Sequence, residues 1–439
     1  MKTIKKYLAQ HAEREIPRGL YLSTFFPKKE TRYHHCVAIP LYGEADWIKE
    51  GLPSLQFAAE IASKKDPHTS SLKTLLIAVI NRHELSEKAV ETDNERTIHF
   101  LKNFPEHLFP DSPIYGLYEM SPHLDILLMN HNQEPYLFYS KEGVGKARKL
   151  GMDMALALYA EGYLTTDYFH TTDGDAIVNS DYFLIEEKAK ASVLLHPYIH
   201  TGNYEQSEAL TIYEHSLRYY VRGLQYAQSP YAHESLGSTI AITPECYAAV
   251  RGFPKRNAAE DFYLLNKAVK VGSLYQSQSG LVKLIGRKSN RVPFGTGVGT
   301  DKFWQKIRAN EPITFYSPLS FQILKNLLEV VQLWSLSAEE NTDRASVTLA
   351  IRGEITAIDL KVFESLLTSL SFFEILETAK HQRKTPEAIL KHIHESWDGF
   401  KTLKFIHGLR ENFLPEVEWQ TALANFADLT TSHKLKSTG

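Results

Sequence analysis

Two aspartates, Asp173 and Asp175, flank a glycine directly after the short apolar run Tyr168 to Thr172. Carboxylates this close repel one another, and a hard, oxygen-seeking cation such as Mg²⁺ or Mn²⁺ relieves the repulsion. A cation held there could also neutralise a departing diphosphate. A solvated turn has the same composition, because Asp and Gly are both turn residues. A second acidic pair, Glu260-Asp261, precedes the apolar helical run Tyr263 to Val271. It could supply a general base for a hydroxyl, or only a favourable charge at a helix N-terminus. Upstream of that pair lie Gly237-Ser238-Thr239 and Gly252-Phe253-Pro254.

Basic residues occur in two glycine-rich settings. Gly143-Val144-Gly145-Lys146-Ala147-Arg148 opens a helix, where backbone N–H groups favour anions. It is not a nucleotide-triphosphate loop, since Ser140 replaces the first glycine and Ala147 the Ser or Thr. Lys146 and Arg148 could still reach a diphosphate, or form the solvated edge of an amphipathic helix. The second setting is Arg287-Lys288-Ser289-Asn290-Arg291, followed by Pro293-Phe294-Gly295-Thr296-Gly297. Long loops are often functional, so Arg287 and Arg291 are candidates to contact a leaving group. An exposed interdomain loop would look the same.

Other candidates point to packing. Tyr213, Tyr219, Tyr220 and Tyr226 fall on a helix over about 205–227, where a large apolar face favours a core role over sugar stacking. His34-His35, His170 and His196 lack paired metal-ligand spacing, so none is singled out as a third metal ligand. Cys36 and Cys246, the two cysteines, suit buried apolar positions in a reducing compartment.

The elements that must position these residues alternate between strand and helix. His35 to Pro40 and Lys73 to Ile80 are nearly continuous apolar runs, as in buried parallel strands, with a helix over about 46–64 between them. Glu84 to Phe104 reads as a helix, Pro105 to Pro113 as a loop, Tyr136 to Tyr139 as a short strand and Gly143 to Glu161 as a helix. This order predicts a doubly wound, mostly parallel sheet, in which ligands collect beyond the strand C-termini. After about Phe303 glycine becomes scarce and helical patterns dominate, at Phe321 to Leu333, Leu360 to Glu377, Pro386 to Phe405 and Glu416 to Leu429. The expected organisation is an N-terminal extension over 1–32, an α/β domain over 33–303 and an all-helical domain over 304–439.

Composition narrows the ligand. The 439 residues carry 49 basic and 52 acidic side chains, a net charge of -3. A nucleic-acid binder needs basic excess to neutralise phosphates, so duplex DNA or long RNA is a poor fit. No signal peptide is expected, because no apolar segment follows Lys2, Lys5 and Lys6. No stretch reaches the roughly 20 apolar residues of a bilayer span. These features lead us to expect a cytoplasmic protein.

Taken in order, the pieces form a pattern. Pro40-Leu41-Tyr42-Gly43-Glu44 follows the first strand, and Ala147-Arg148-Lys149-Leu150-Gly151 lies on a helix. Asp173-Gly174-Asp175, Gly252-Phe253 and Glu260-Asp261 follow. Over about 33–300 the chain resembles the family 2 glycosyltransferases of GT-A fold. Their pattern is Pro-x-Tyr-x-Glu, Ala-Arg-Asn-x-Gly, Asp-x-Asp, Gly-Gly-Phe and Glu-Asp. The resemblance implies that Pro40, Tyr42 and Glu44 line the nucleoside pocket, with Arg148 near the nucleotide. It implies that Asp173 contacts ribose or metal, that Asp175 binds Mn²⁺ or Mg²⁺ directly, and that Asp261 is the base with Glu260 in support. Direct displacement with inversion would then move a sugar from a UDP- or GDP-sugar to a hydroxyl on a glycan, lipid or small molecule.

The chain departs from the pattern at three positions. Asn81 stands where the family usually has Asp after the second strand, so base or ribose recognition differs there. Lys149 replaces Asn, and Arg251 replaces the first glycine of Gly-Gly-Phe. A long insertion covers about 93–133. The rival readings are a retaining transferase or nucleotidyltransferase of similar sheet, and a non-catalytic nucleotide-sugar sensor or scaffold. The helical domain, with Phe321 to Trp334 as its most apolar stretch, suits docking on the catalytic domain, a second subunit or the inner face of a membrane.

Overall fold

The computed structural model describes residues 1–17, 22, 31–65, 71–108, 112–185, 190–202, 207–287, 295–337 and 343–436, with side chains omitted at 107–108 and 428–436. Two units divide the chain. One comprises Met1–Ser207 with Ser235–Val298, the other Glu208–Glu234 with Gly299–Gly439.

The first unit is α/β. In chain order its described strands are β1 (Tyr33–Leu41), β2 (Lys73–Asn81), β3 (Glu106–Leu108), β4 (Tyr115–Ser121), β5 (Leu124–His131) and β6 (Phe169–Thr171), then β7 (Ala176–Val178), β8 (Val193–Leu195), β9 (Tyr198–Gly202), β10 (Ile240–Ile242), β11 (Leu274–Gln276) and β12 (Val282–Gly286). Nine form one sheet, in the order β11-β8-β10-β6-β1-β2-β5-β4-β3. Its centre, β6-β1-β2-β5, is parallel throughout. β10 runs antiparallel to both β6 and β8, and β4 antiparallel to β5. The α/β class and the parallel centre agree with the apolar runs of β1 and β2, whose residues are buried on both faces.

The chain first builds the sheet outward from β1 through β2 to β5. It then returns to place β6 on the other side of β1. Such a reversal opens a crevice at the strand C-termini. The loop after β1, with Tyr42 and Glu44, and the loop after β6, with Asp173 and Asp175, flank that crevice. β7, β12 and β9 form a separate three-stranded sheet that carries Arg287 just past the end of β12.

Several local expectations differ from the structure. The 93–133 insertion contains β4 and β5, and β5 joins the parallel centre. Glu106–Leu108, within an expected loop, is one of the two edge strands of the sheet. Tyr136 to Tyr139 forms no strand: Phe138 makes one isolated bridge to His83, and Pro135 just before it has no N–H to extend a ladder.

The second unit is helical, with its own core around Phe321, Phe363, Phe372 and Phe405. It is not confined to 304–439. The Ser207–Tyr226 helix joins it, because Tyr219 and Tyr220 pack edge-on against Phe321, and Tyr219 also meets Phe426. This places Tyr219 in a core with the partly buried Tyr220 and Tyr226 packed against it, as the helical pattern implied, whereas Tyr213 is not among the core residues. Two expected long helices are each broken. Ser371 turns the chain at φ 58° between Leu360–Ser369 and Phe372–Gln382. Asp398 ends the continuity after Pro386–Ser396 by capping Gly399–Asn412, accepting from the N–H groups of Phe400 and Lys401. No helix among the described residues is long and apolar enough to cross a membrane.

Candidate functional site

Arg148 organises the crevice. It lies in the Val144–Glu161 helix, whose residues from Gly145 to Leu158 are all buried. Its Nε donates to Glu260 Oε1 at 2.9 Å and its Nη2 to Asp173 Oδ1 at 2.5 Å. Nη1 donates to Thr171 Oγ1 at 2.9 Å and to the Thr172 carbonyl at 3.2 Å. Burial works against the guanidinium's charge, but Asp173, Glu260 and Asp261 more than offset this and hold its pKa above the ordinary arginine value. The fork geometry lets one side chain fix both acidic motifs.

Each partner is positioned locally. The second oxygen of Asp173 accepts a bond from the Ser238 hydroxyl. A β-carbon on Gly174 would come within 2.6 Å of the Leu41 side chain, so the triplet lies close against the end of β1. A β-carbon on Gly237 would sit 2.5 Å from Arg148 Nη2, so the backbone there lies directly against the guanidinium.

Glu260 and Asp261 form the first turn of the Glu260–Val271 helix, entered through Ala259 at φ 59°. A left-handed alanine is strained, and here the strain turns the acidic pair into the crevice. Arg251 and Gly252 also adopt left-handed φ, 64° and 67°. Arg251 thus holds a backbone conformation that glycine adopts without strain.

Asp261 has the most informative electrostatics. Burial pushes its carboxyl up to about 7, and the adjacent Glu260 charge adds to this. The backbone N–H groups of Phe262 and Gly237 and the charge of Arg148 restrain the rise. A carboxylate poised near neutrality suits general base catalysis.

On the other side of the crevice Arg287 joins Asp175 to Glu44. Its Nε donates to Asp175 Oδ2 at 2.8 Å, and its Nη2 to Glu44 Oε1 and Oε2 at 2.6 and 2.5 Å. The Trp47 ring lies 5.0 Å from the guanidinium carbon. Tyr42 stacks on His83, with ring centroids 6.1 Å apart and planes at 28°. Ser86 Oγ contacts the Tyr42 hydroxyl at 3.1 Å and accepts from the His83 N–H at 3.1 Å. Pro40 lies in β1 opposite Val79, and the buried Asn81 ends β2, its carbonyl accepting from Asn94.

The structure thus brings Arg148, Asp173, Glu260 and Asp261 together, and Glu44, Asp175 and Arg287 together. Arg291 lies outside the described residues, as does most of the basic loop after Arg287. Lys146 does not face the crevice: it bonds Glu142 at 2.9 Å and sits 4.6 Å from the centroid of the Phe138 ring. The helix start at Gly143 is no open anion site either. Gly145 donates its N–H to the Arg256 carbonyl, and the 254–257 loop covers it.

Among the described residues no group of three or more His, Cys, Asp or Glu side chains could hold a metal ion. His170 and His196 pair with each other at 3.2 Å inside the fold, where burial lowers both pKa values, that of His196 to about 4. Neither is aimed at Asp175 by any contact. Cys36 and Cys246 are buried and free.

Sequence reasoning assigned no role to Ser238, Thr171 or Trp47. Ser238 could have been found, since Gly237-Ser238-Thr239 resembles a built turn. Nothing in sequence links Trp47 to Arg287. A cleft of about 460 Å³, lined by residues that include Arg82, Glu91, His99 and Asn132, opens beside the ends of β2 and β5. It contains none of the acidic pairs.

No protein-family model matches the chain, and no curated protein matches it. Among solved structures, S. aureus TarS 1–349 is similar over 80% of this chain and 91% of that chain, at 12% identity and a TM-score of 0.32. A likeness this loose bears on neither reaction nor substrate.

Proposed function

We propose that the chain transfers a sugar from a nucleotide-diphosphate sugar, UDP- or GDP-linked, to an acceptor hydroxyl with inversion. The supporting observation is that one buried guanidinium, Arg148, bonds both the Asp173 carboxylate and Glu260, next to Asp261. Donor-side and proton-transfer groups therefore share a crevice at a topological switch point.

In this reading Asp261 accepts the proton of the acceptor hydroxyl as its oxygen bonds to the anomeric carbon. The bond from that carbon to the diphosphate breaks, and its electron pair leaves with the diphosphate. A base of this kind contributes about 10²- to 10⁴-fold. Arg148 and Ser238 hold Asp173 in place for the ribose, and the Tyr42 ring offers the nucleobase a flat surface.

A divalent cation fits the charge of the crevice. Among the described residues, the carboxylates of Glu44, Asp173, Asp175 and Glu260 bond the guanidiniums of Arg148 and Arg287, with Asp261 beside Glu260. Asp175, with Asp173 beside it, would hold Mn²⁺ or Mg²⁺. When bound, such a cation supplies positive charge to the leaving diphosphate.

The test is release of nucleoside diphosphate from a panel of UDP- and GDP-sugars with Mn²⁺, comparing the wild-type chain with Asp261→Asn. Donor-dependent release that the variant loses is expected. Equal release by both would remove Asp261 from the mechanism, and no release from any donor would remove the reading.

A further inference from the structure

Two consecutive side chains, Asp93 and Asn94, hold the loop after β1. Both lie in the Lys88–Leu101 helix that follows β2. Asn94 Oδ1 accepts from the Gly43 N–H at 2.9 Å, and Asp93 Oδ2 accepts from the Ala45 N–H at 2.9 Å. Two alternate backbone donors, either side of Glu44, therefore end on one helix. Asn94 is fully buried, and its amide nitrogen donates to the Asn81 carbonyl at 3.0 Å and to Asn132 Oδ1 at 2.9 Å. One side chain thus joins the loop to the end of β2 and to the residue after β5. Between the two held positions and Tyr42 the backbone turns at Gly43, whose φ of 65° glycine adopts without strain.

The same stretch of chain also meets Tyr42 itself. His83 stacks on its ring and Ser86 contacts its hydroxyl. Residues 83–94 therefore meet the ring through side chains, and the backbone after it through Asp93 and Asn94. A ligand that stacks on a loop already ordered does not have to order it. We infer that Asp93 and Asn94 are positioning residues for the candidate nucleobase site, holding the 42–45 loop so that the Tyr42 ring is set to receive the base. What they supply is acceptor oxygens, not charge. The other oxygen of Asp93 pairs with the half-exposed Arg96, and such surface pairs contribute little.

The role rests on the proposed donor site, and the experiment separates the two. Binding of UDP and of GDP to the full-length chain is measured by calorimetry. The forms compared are wild type, Asp93→Ala, Asp93→Asn, Tyr42→Ala and the double substitution Asp93→Ala/Tyr42→Ala. Asp93→Ala should bind the nucleotide that wild type takes about 3- to 10-fold more weakly, the range for one lost hydrogen bond. Asp93→Asn keeps the acceptor without the charge and should bind within about twofold of wild type. The double variant should bind no more weakly than Tyr42→Ala alone, because the hold acts through that ring. Unchanged affinity in Asp93→Ala, no recovery in Asp93→Asn, or the same loss with and without Tyr42 overturns the positioning role and leaves the donor site standing. If no form binds either nucleotide, the donor-site reading falls with it. Amide hydrogen exchange of the wild type needs no variant to fold. The Gly43 and Ala45 N–H groups should exchange at least about tenfold more slowly than free loop amides, and free-loop rates would overturn the hold.

Discussion

Arg148 Nε donates to Glu260 Oε1 across 112 residues of sequence, with both side chains buried. The bond fixes the start of the Glu260–Val271 helix against the middle of the fold. Removing the arginine leaves buried acidic charge without its partner. Arg148→Ala should cost about 3–5 kcal/mol in urea unfolding. Arg148→Lys should recover much of the stability but little activity, because an ammonium cannot span Asp173 and Glu260.

Asp261 gives a pH signature. As a base it must be ionised, so donor turnover should rise with pH and level off above about 7. Its folded pKa lies above the unfolded value. The stability tied to this group is therefore fully present below the ordinary aspartate range and is lost as pH rises through about 7. Asp261→Asn does not titrate. It should melt progressively above wild type as pH goes from 5 to 8, while turnover falls about 10²-fold or more. A constant melting difference across that range would contradict the assignment.

The N-terminal helix Lys2–Gln10 is tied to the back of the Arg148 helix through buried Asp153. That carboxylate accepts from Tyr7 at 2.5 Å, Tyr247 at 2.8 Å, Lys149 at 3.0 Å and the Glu13 N–H at 2.8 Å. Tyr7→Phe removes one donor and leaves the ring in place. It should cost about 1–3 kcal/mol in stability, read by chemical denaturation, with little change in donor affinity.

Tyr42 contacts Ser86 through its hydroxyl, and its ring is the flat surface proposed for the nucleobase. Tyr42→Ala should raise KM for the donor about 5- to 150-fold, the equivalent of about 1–3 kcal/mol for one base on one aromatic ring, with kcat nearly constant. Steady-state kinetics at saturating acceptor would show this. An unchanged KM would place the nucleobase elsewhere.

The parallel centre of the sheet was readable because β1 and β2 are long, apolar and buried on both faces. The crevice followed from the same alternation. β4 and β5 were harder, since the polar residues Glu119, Asp125 and Asn130 interrupt their apolar runs. The broken helices were invisible because the apolar pattern continues across Ser371 and Trp397, and only the backbone shows the turn. The acidic motifs could be placed from spacing, but their wiring could not. Glu44 bonds Arg287 across 243 residues, and no local pattern carries information over such a separation.

The Ser207–Tyr226 helix carries a further consequence, for the order in which the chain folds. Its Tyr219 hydroxyl donates to the Tyr316 carbonyl, 97 residues later, and its ring meets Phe426 near the far end. During synthesis at about 5–20 residues per second, this helix waits on the order of 5–20 s for its first partner. For that interval its aromatic face has no core to enter. Chains halted between residues 234 and 316 should therefore be the ones most dependent on a chaperone.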